Sequence, residues 1–544
     1  MNRTTYDLVI VGGGIAGASV ATVMARAGHT VLVIERERVF RDRVRGEFLS
    51  PWGVGALRSV GLMDTVTAAG AVPLPALAGR SLKPRPVRSP EGDVPLSFSH
   101  VAVQEALLTE AAASGAEVVR GARVTSVTGD GEGRVEFATP DGTASVSARL
   151  VVGADGRSSL ARRALGQLEC VNASERVLAG VRLSNVAADP AFGYFIIREE
   201  AGGLASVFPQ GDGMARAYIF LYGQDASTYA GPGGYERFIQ GLLDLGVPAE
   251  VLEHAQQAGP LASFAAADSW VNHPASDHIV LVGDAAGISD PTWGQGLALV
   301  FHDVRVLTET LLGASDWREA AHRYADERSQ YFHTVITAES WLTELQLSSG
   351  PEAEARRAHV MRAWRAEPDR ARGLDLNGYG PALDVSDEAR RRVFAEDVPA
   401  MAADPTPVQP PASSTREEVA TAFLSRLAAR DFDALGAMFS DTARMRALLP
   451  GGPIEVLGGS AAGKTFAKWY GTNEEFEVLA TSYDTIADRL KMTWRCRLRW
   501  EGETFSRMIE QQAYAKVVDG RIVVLDLVCS GFRPVPEVDA QAAA

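Results

Sequence analysis

A glycine-rich turn between two apolar strands constrains this chain more than any other feature. Residues 12–17 read Gly-Gly-Gly-Ile-Ala-Gly, a GxGxxG pattern that follows the apolar run Tyr6–Val11. A helix-forming segment comes next, and Thr30–Glu35 returns as a second apolar strand. A strand, a helix and a parallel strand within about 30 residues make one βαβ unit. The pattern therefore predicts an α/β domain that binds a dinucleotide at the turn.

Each position of the turn has a physical task in such a site. Gly12 permits the tight turn, Gly14 lets the backbone approach a pyrophosphate, and Gly17 lets the helix pack closely on the strand. The first N–H groups of the helix attract the phosphates. Glu35 ends the second strand, where its carboxylate can accept both hydroxyls of an adenosine ribose. The candidate residues of this half-site are Gly12, Gly14, Ile15, Ala16, Gly17, Glu35 and Arg36.

Composition and charge limit the class of protein. The 544 residues allow three or four domains. The formal net charge of −15 repels a phosphate backbone, so we expect no nucleic-acid partner. The sequence shows no uninterrupted apolar run of about 18 residues, so we expect no membrane association. Cys170, Cys496 and Cys529 lack the spacing of metal ligands, which predicts free thiols, no metal site and a cytoplasmic location.

Two further glycine-aspartate motifs end strands later in the chain. Residues 150–159 read Leu-Val-Val-Gly-Ala-Asp-Gly-Arg-Ser-Ser and contain Asp155. Residues 279–287 read Ile-Val-Leu-Val-Gly-Asp-Ala-Ala-Gly and contain Asp284. The sequence Trp-Gly-Gln-Gly-Leu follows at 293–297, where a helical segment begins. The GxGxxG turn alone does not separate FAD from NAD, but the three motifs together do.

With these motifs in this order, residues 5–345 resemble the class A flavoprotein monooxygenases of the p-hydroxybenzoate hydroxylase type. The resemblance implies FAD as cofactor, NAD(P)H as a transient reductant and O2 as co-substrate. It places Asp284 at the ribityl chain, Arg45 near the phosphates and residues 294–296 at the flavin pyrimidine edge. No second GxGxxG and no CxxC is visible, which also favours reduction at a single flavin. The implied cofactor residues are Arg45, Gln104, Val124, Asp155, Asp284, Gly294, Gln295, Gly296 and Leu297.

The resemblance does not identify a catalytic base. Pro291, Trp293 and His302 are the candidates for the substrate pocket. For a lone histidine such as His302, a position in the core or on the surface is the commoner interpretation. Gly287 stands where the family commonly has a histidine, and it also resembles flavin-dependent halogenases and isoprenoid reductases. A halogenase needs a lysine, and Lys83 is the only one before residue 410. Both activities remain alternatives to oxygenation.

A second folded domain is predicted after a proline-rich stretch. Five prolines fall within residues 399–411, so residues 399–414 are interpreted as a semi-rigid linker. Thr415 opens a capping-box pattern and hence a helix. Residues 489–500 alternate between apolar and polar side chains, which predicts a half-buried strand, and Asp519-Gly520 predicts a hairpin turn. Helices followed by a curved antiparallel sheet would make an α+β domain over 415–535.

This last segment resembles the nuclear transport factor 2-like (SnoaL-like) fold, a cone of curved sheet whose helices close a pocket. The fold includes enzymes and inert dimerisation modules. All nine histidines precede residue 360, so chemistry in the cone would need other groups. The candidates for its pocket are Trp494, Glu510, Tyr514 and Asp526. The expected role is dimerisation or substrate handling, and a second catalytic site (cyclase, isomerase or epoxide hydrolase) is the alternative.

The expected fold is an α/β FAD-binding domain of the glutathione-reductase type with an interleaved antiparallel substrate sheet, followed by the α+β cone. The bounds are 1–75, 101–172 and 272–345 for the FAD-binding domain, 76–100 and 173–271 for the substrate sheet, 346–398 for a helical extension, 399–414 for the linker and 415–535 for the cone. The expected function is FAD-dependent hydroxylation or epoxidation of a large apolar polyketide-type natural product.

Overall fold

The protein is described by a computed structural model. It covers residues 3–129, 131–140, 142–167, 170–199, 203–222, 228–398, 416–449, 452–486, 489–500 and 506–534. The chain divides into two compact units, the first of Met1–Ser349 with Ala353–Pro399 and the second of Gly350–Glu352 with Ala400–Ala544. The linker predicted at 399–414 lies outside the described residues.

The first unit alternates strands and helices along the chain. Its strands are β1 Thr5–Val11, β2 Val31–Glu35, β3 Phe48–Leu49, β4 Val72–Pro73, β5 Ala76–Ala78, β6 Pro84–Pro86, β7 Leu96–Ser97, β8 Glu117–Arg120, β9 Arg123–Thr128, β10 Gly133–Thr139, β11 Gly142–Gly153, β12 Cys170–Ser184, β13 Phe192–Arg198, β14 Gly203–Gly211, β15 Met214–Tyr222, β16 Gln256–Gln257, β17 Ala262–Trp270, β18 Ile279–Leu281 and β19 Gly287–Ile288.

The helices of this unit lie mostly between these strands or after the last of them. They are α1 Ile15–Arg26, α2 Pro51–Ser59, α3 Met63–Ala68, α4 His100–Ala113, α5 Leu160–Ala164, α6 Gly234–Asp244, α7 Ala249–Leu252, α8 Gly296–Leu312, α9 Trp317–Gln346, α10 Pro351–Ala366, α11 Asp369–Arg372, α12 Leu376–Tyr379 and α13 Asp387–Val393. Short 3-10 turns occupy Gly283–Ala285, Pro291–Trp293 and Gly380–Ala382.

The first sheet has the order β8-β2-β1-β11-β10-β9, with β18 also paired to β11. Strands β2, β1, β11 and β18 are parallel, and β9 and β10 continue the sheet as an antiparallel meander. β1 and β2 are almost fully buried, as expected for continuous apolar runs covered by helices on both faces. Because the parallel strands share a direction, Val11, Glu35 and Gly153 end at one edge, where such sheets bind ligands.

The second sheet comes largely from the segment that the sequence assigns to substrate binding. Its order is β19-β17-β12-β15-β14-β13-β5-β6, with β16 paired to β12. The long strands β12, β13, β14, β15 and β17 pair antiparallel, whereas β13 pairs parallel with β5. A small sheet of β3, β7 and β4 completes the first unit. The first sheet takes its strands from residues 5–153 and again from Ile279–Leu281, and the long strands of the second sheet lie between them in the sequence.

The second unit contains three helices and a seven-stranded sheet among its described residues. Its elements are α14 Arg416–Ala428, α15 Phe432–Gly436, β20 Phe439–Leu449, β21 Gly452–Leu457, α16 Gly459–Tyr470, β22 Asn473–Ile486, β23 Arg489–Trp500, β24 Arg507–Val518, β25 Arg521–Cys529 and β26 Arg533–Pro534. The sheet order is β21-β20-β25-β24-β23-β22, with β26 paired to β24. β24 and β25 meet at Asp519-Gly520, where both residues have positive φ, as a tight hairpin turn requires.

The expectation of helices followed by a purely antiparallel sheet is wrong in two respects. β20 pairs parallel with β25, and α16 lies between β21 and β22. The segment that becomes α16 contains Gly459 and Gly463, which lower its intrinsic helix propensity. A Cβ atom on Gly463 would lie 2.5 Å from the Phe432 carbonyl oxygen, so these glycines permit α16 to touch α15. Tertiary packing therefore overrides local propensity here.

Within the described part of the chain, no helix combines the length and the apolar character needed to cross a membrane.

A buried carboxyl group lies on the long helix α9. Glu339 is 3% exposed, and Asp268, Arg176 and the Ser289 hydroxyl lie near it. Burial first, and the neighbouring Asp268 second, raise the pKa of Glu339 well above its usual range, while Ser289 and Arg176 oppose this shift. The folded protein therefore holds a proton on this side chain under conditions in which the unfolded chain releases it.

Replacing Glu339 by glutamine should make stability less dependent on pH. A carboxyl whose pKa is raised by folding favours the folded state most at low pH and destabilises it as pH rises above the unfolded value of 4.5. We expect E339Q to match the wild type near pH 4 and to be more stable by about 1–3 kcal/mol at pH 8. Urea unfolding at both pH values measures the difference.

The matched control is Glu327→Gln, an exposed position on the same helix. It should change stability equally little at both pH values. If E339Q and the wild type kept the same difference in unfolding free energy from pH 4 to pH 8, the pKa of Glu339 would not be raised.

Candidate active site

One cavity of about 760 Å3 connects the glycine-rich turn to the substrate sheet. It begins at the carboxyl ends of β1 and β2, passes the motif around Asp284 and reaches residues of β13, β14 and β15. Most of the residues proposed from the sequence line it together, namely Gly12, Gly14, Ile15, Ala16, Glu35, Arg36, Arg45, Gln104, Val124, Asp155, Asp284, Pro291, Trp293, Gly294, Gly296 and Leu297. Gly17, Gln295 and His302 are not among its lining residues.

The glycines of the first turn are needed for different steric reasons. Gly12 has φ of 103°, and a Cβ atom there would lie 2.5 Å from the Ala154 carbonyl oxygen. A Cβ on Gly17 would lie 2.0 Å from the Gly12 carbonyl oxygen, so Gly17 serves packing rather than direct contact with a ligand. At Gly14 the nearest atom would be Gln104 Nε2 at 3.6 Å, which leaves the backbone open to the cavity. This turn suits a pyrophosphate at the start of α1.

Glu35 is held in place by backbone hydrogen bonds. The Gly13 N–H donates to one carboxylate oxygen at 2.7 Å, and the Glu37 N–H donates to the other at 2.7 Å. The residue is 6% exposed and lines the cavity. Each oxygen keeps acceptor capacity, so the carboxylate can bind ribose hydroxyls. Arg36 beside it projects a largely exposed side chain.

Positive charge gathers around Asp284. Its Oδ2 lies 3.6 Å from Arg45 Nη1 and 3.8 Å from Arg157 Nε. Burial lowers the pKa of Arg45, Asp284 opposes this shift, and the nearby arginines Arg157, Arg43 and Arg36 add to it. Arginines crowded into one cavity without a full set of protein carboxylates suit the two phosphates of a dinucleotide.

Arg162 joins the second and third motifs. Its Nη1 donates to the carbonyl oxygens of Asp284 and Ala285, both at 3.3 Å, and its Nη2 donates to the Arg157 carbonyl oxygen. The Asp155 carboxylate accepts from the Leu160 N–H at 2.6 Å and so caps α5, which carries Arg162. Asp155 thus lines the cavity while its side chain holds the helix start.

The turn at Asp284 rests on a buried ion pair that the sequence analysis missed. Asp303 on α8 accepts from the Gly283 N–H at 2.7 Å, from Arg328 Nε at 3.1 Å and from the Tyr331 hydroxyl at 2.5 Å. Both charged side chains are at most 1% exposed. The available signal was an aspartate on the apolar face of a helix, which needs a buried partner.

The side chain of Gln295 turns away from the cavity, so a contact of this residue with the flavin would involve its backbone, as the family resemblance implies. Its Oε1 accepts from Trp52 Nε1 at 2.8 Å, and its Nε2 donates to the Trp293 carbonyl oxygen and to Asn377. Gly294, with φ of 70°, and Gly296 still line the cavity. What this turn presents to a ligand is therefore backbone and the N-terminus of α8, not the Gln295 amide.

His302 is wrong as a candidate for the substrate pocket. Five residues beyond Leu297, it is rotated by about 140° around α8 and faces away from the cavity. Its ring contacts those of Trp52 and Tyr331, with centroids 5.6 and 4.5 Å apart. Burial, with Arg305 adding to it, lowers the pKa of His302 to about 3. It borders a second cavity of about 570 Å3 on that side of the helix.

Pro291 and Trp293 lie in the wall of the main cavity, as proposed. The Trp293 indole N–H donates to Thr343 Oγ1 at 3.0 Å, which fixes the ring. The residues of the second sheet that line the cavity are uncharged, and half of them are aromatic; they are Leu77, Leu178, Phe195, Ser206, Phe208, Tyr218, Phe220, Phe264, Gly287 and Ile288. This end of the cavity suits a planar apolar molecule. Lys83, which a halogenase would need, is exposed and does not line the cavity.

The four candidates of the second unit do not share one pocket. Trp494 is fully buried, and its indole N–H donates to Gln511 Oε1 at 3.0 Å. Successive residues of a strand point to opposite faces. Glu510, Tyr514 and Asp526 consequently lie on the other face of the sheet, where Glu510 pairs with Arg495 and Asp526 with Arg446. A grouping based on residue type alone overlooked this alternation.

Among the residues that the structure describes, no group of three or more histidine, cysteine, aspartate or glutamate side chains is arranged to hold a metal ion.

Curated relatives and solved structures agree with this architecture. Kynurenine 3-monooxygenase of Salinispora tropica is 30% identical over 378 residues, 62% of this chain and 79% of that protein. Squalene epoxidase ERG1 of Saccharomyces cerevisiae is 42% identical over 73 residues, so this match spans 13% of the chain and 15% of that protein.

Among solved structures, the flavin-dependent brominase Bmp2 superposes with a TM-score of 0.58 at 17% identity and covers 73% of this chain and 98% of its own. The OxyS anhydrotetracycline hydroxylase from Streptomyces rimosus superposes with a TM-score of 0.55 at 23% identity, covering 70% and 76%. Aklavinone-11 hydroxylase in complex with FAD and aklavinone gives 0.53 at 21% identity, covering 64% and 70%. These likenesses establish the fold.

The model of the FAD binding domain family matches residues 5–338, which include all three glycine-aspartate motifs. The cavity provides the steric space, the ribose acceptor and the positive charge that this cofactor requires. The chain therefore belongs to the FAD binding domain family of FAD-dependent monooxygenases, and FAD is its cofactor.

Proposed function

We propose that this protein uses NAD(P)H and O2 to insert one oxygen atom into a large, apolar, polycyclic polyketide-type molecule, as a hydroxyl group or an epoxide. The observation that carries the proposal is the single cavity that joins the dinucleotide turn to an uncharged aromatic wall. Bound FAD, once reduced by NAD(P)H, supplies the activation of O2. The anhydrotetracycline and aklavinone hydroxylases among the structural neighbours act on molecules of this class.

The protein's own contribution is orientation and exclusion of water. Phe195, Phe208 and Phe220 present ring faces and edges against which a planar substrate can stack. The ring of Trp293 is held by its hydrogen bond to Thr343. Its centroid lies 6.1 Å from that of Phe195, so the two rings narrow this end of the cavity. No arginine or lysine of the described substrate-sheet strands lines this cavity, so a carboxylate anchor on the substrate is not required.

The N-terminus of α8 supports the electrostatics of the reaction. The turn Gly294–Gly296 precedes a 17-residue helix, whose first N–H groups and dipole favour negative charge. Bound FAD would gain negative charge on reduction, and the backbone N–H groups of residues 294–296 would stabilise that charge without reorganisation.

The second unit is proposed to act in assembly or substrate handling. Its interior is filled by aromatic side chains and by the hydrogen-bonded group of Tyr470, Trp494 and Gln511. The outer face of the sheet carries cross-strand ion pairs and two neighbouring exposed apolar residues, Leu448 and Val528. This face suits association of two copies better than it suits catalysis. A second catalytic site in this unit remains the alternative.

We propose a cytoplasmic location for the protein.

Asp284→Ala should weaken FAD binding by about 10- to 100-fold, because a charge-assisted hydrogen bond to a ribityl hydroxyl is lost. Quenching of flavin fluorescence on titration of the apoprotein measures the affinity. Asp244→Ala, at an exposed carboxylate on α6, is the matched control and should bind FAD normally. Equal affinities in all three proteins would contradict the ribityl assignment.

Aklavinone and anhydrotetracycline serve as polycyclic probes of activity. At least one should stimulate NAD(P)H oxidation by the FAD-loaded protein several-fold, and mass spectrometry should find one added oxygen atom in the product. A halide-dependent mass gain would indicate a halogenase instead, and turnover without O2 would indicate a reductase. No stimulation by either probe or by other polycyclic aromatic polyketides would overturn the proposed substrate class.

The assembly role predicts a charge-sensitive dimer. Leu448→Asp combined with Val528→Asp should convert a dimer to a monomer in analytical ultracentrifugation, because two carboxylates would be buried without partners. Val39→Asp, on an exposed residue of the first unit, should leave the mass unchanged. A protein that is monomeric before substitution would refute the dimer, and accumulation of an oxidised intermediate in the double variant would favour the second catalytic site.

A further inference from the structure

A residue outside the matched family region reaches the active-site cavity. Asn377 lies on the short helix α12, in the helical extension beyond residue 338. It is half-buried and lines the cavity together with the residues of the flavin turn. Its side-chain oxygen accepts a hydrogen bond from Gln295 Nε2 at 3.0 Å. The extension therefore contributes a polar group to a largely apolar wall.

A chain of hydrogen bonds determines which end of the Asn377 amide faces the cavity. The indole N–H of Trp52 can only donate, and it donates to Gln295 Oε1 at 2.8 Å. This contact fixes the orientation of the Gln295 amide. Its two N–H groups then donate to the Trp293 carbonyl oxygen at 2.6 Å and to Asn377 Oδ1 at 3.0 Å. The Asn377 oxygen is thereby occupied, and its NH2 group is the end left for a ligand.

Packing immobilises this arrangement. Asp375 Oδ1 accepts from the Gly378 N–H at 3.0 Å and caps the turn that carries Asn377. Gly380, with φ of 52°, lies against the Trp52 ring, since a Cβ atom there would be 2.4 Å from Trp52 Cδ2. The indole that starts the hydrogen-bond chain therefore also supports the helix at its end. A donor held by packing on both sides binds a ligand without first losing rotamer entropy.

We propose that the Asn377 NH2 group donates a hydrogen bond to a ring-bound oxygen of the substrate, and so selects polycyclic molecules that carry a carbonyl or phenolic oxygen over hydrocarbons of the same shape. The inference rests on the proposed function and names the feature of the substrate that the cavity recognises. A neutral amide pairs with such an oxygen without burying a charge. A site built to donate this bond discriminates against a molecule that lacks the acceptor.

The test compares two planar probes, 9-fluorenone, which carries a ring carbonyl, and fluorene, which has the same skeleton without it. Equilibrium dialysis against the full-length, FAD-loaded protein gives the ratio of the two dissociation constants. Asn377→Leu should reduce the preference for fluorenone by about tenfold, the effect of one hydrogen bond. Asn377→Asp should reduce it further, because a carboxylate repels the carbonyl oxygen.

Two more variants separate the hydrogen-bond chain from simple packing. Trp52→Phe keeps an aromatic ring against Gly380 but removes the shorter of two hydrogen bonds to Gln295 Oε1, the other coming from the Ser50 hydroxyl at 3.3 Å, so it should give an intermediate loss of preference. Gln240→Leu, at an exposed amide on α6, should retain the wild-type ratio. FAD affinity should be unchanged in Asn377→Leu, since the amide is assigned to the substrate and not to the cofactor.

The inference is overturned if Asn377→Leu and Asn377→Asp keep the wild-type ratio, if the wild type binds neither probe, or if Asn377→Leu weakens FAD binding instead. The proposed function fails separately. A ratio that depends on Asn377, without NAD(P)H-dependent oxygenation of any polycyclic probe, would remove the oxygenase and leave the recognition of a ring oxygen in place. Oxygenation of a polycyclic probe, together with a binding ratio that the Asn377 variants leave unchanged, would support the oxygenase and refute the recognition of a ring oxygen by Asn377.

Discussion

The active site depends on one buried carboxylate. Asp303 on α8 accepts hydrogen bonds from the Gly283 N–H and from Arg328 and Tyr331 on α9. These bonds link the turn that presents Asp284 to both helices. Removing one member of such a pair leaves an uncompensated charge, which costs about 3–5 kcal/mol. The cofactor contacts of the third motif and the start of α8 would move together if this interaction were lost.

A second buried ion pair connects the loop that carries Arg45 to the second sheet. Arg216 on β15 is fully buried and donates to Glu47 at 2.7 Å and to Asp42 at 2.6 Å. The side-chain hydroxyl of Tyr218, two residues further along β15, donates to the Arg45 carbonyl oxygen. The loop that carries Arg45 is thus positioned by the same strand that supplies part of the aromatic wall.

Features that depend on local geometry were predictable. The turn at Gly12 needs a positive φ and no side chain, and Asp284, in the turn after β18, lies at the sheet edge. Features that depend on contacts distant in sequence were not. Nothing near Gln295 reveals that Trp52, 243 residues earlier, donates a hydrogen bond to its side chain. Nothing near Asp303 reveals that Arg328 is its ion-pair partner. The misplaced His302 and the scattered set around Trp494 have a different, local cause, because helical rotation along α8 and alternation along the strands were not applied to these residues.

The sequence by itself determined the class of fold and a dinucleotide site, because steric demands on glycine and the placement of an acidic residue at a strand end are written into short contiguous motifs. The choice of FAD followed from the family resemblance that the three motifs carry together. It also located the second folded unit through strand alternation. Only the tertiary structure decided which side chains face the cavity. A hydrogen-bond chain, for example, brings Asn377 to the cavity from a segment without any motif. Directions of side chains follow from packing between distant elements, which a local pattern does not encode.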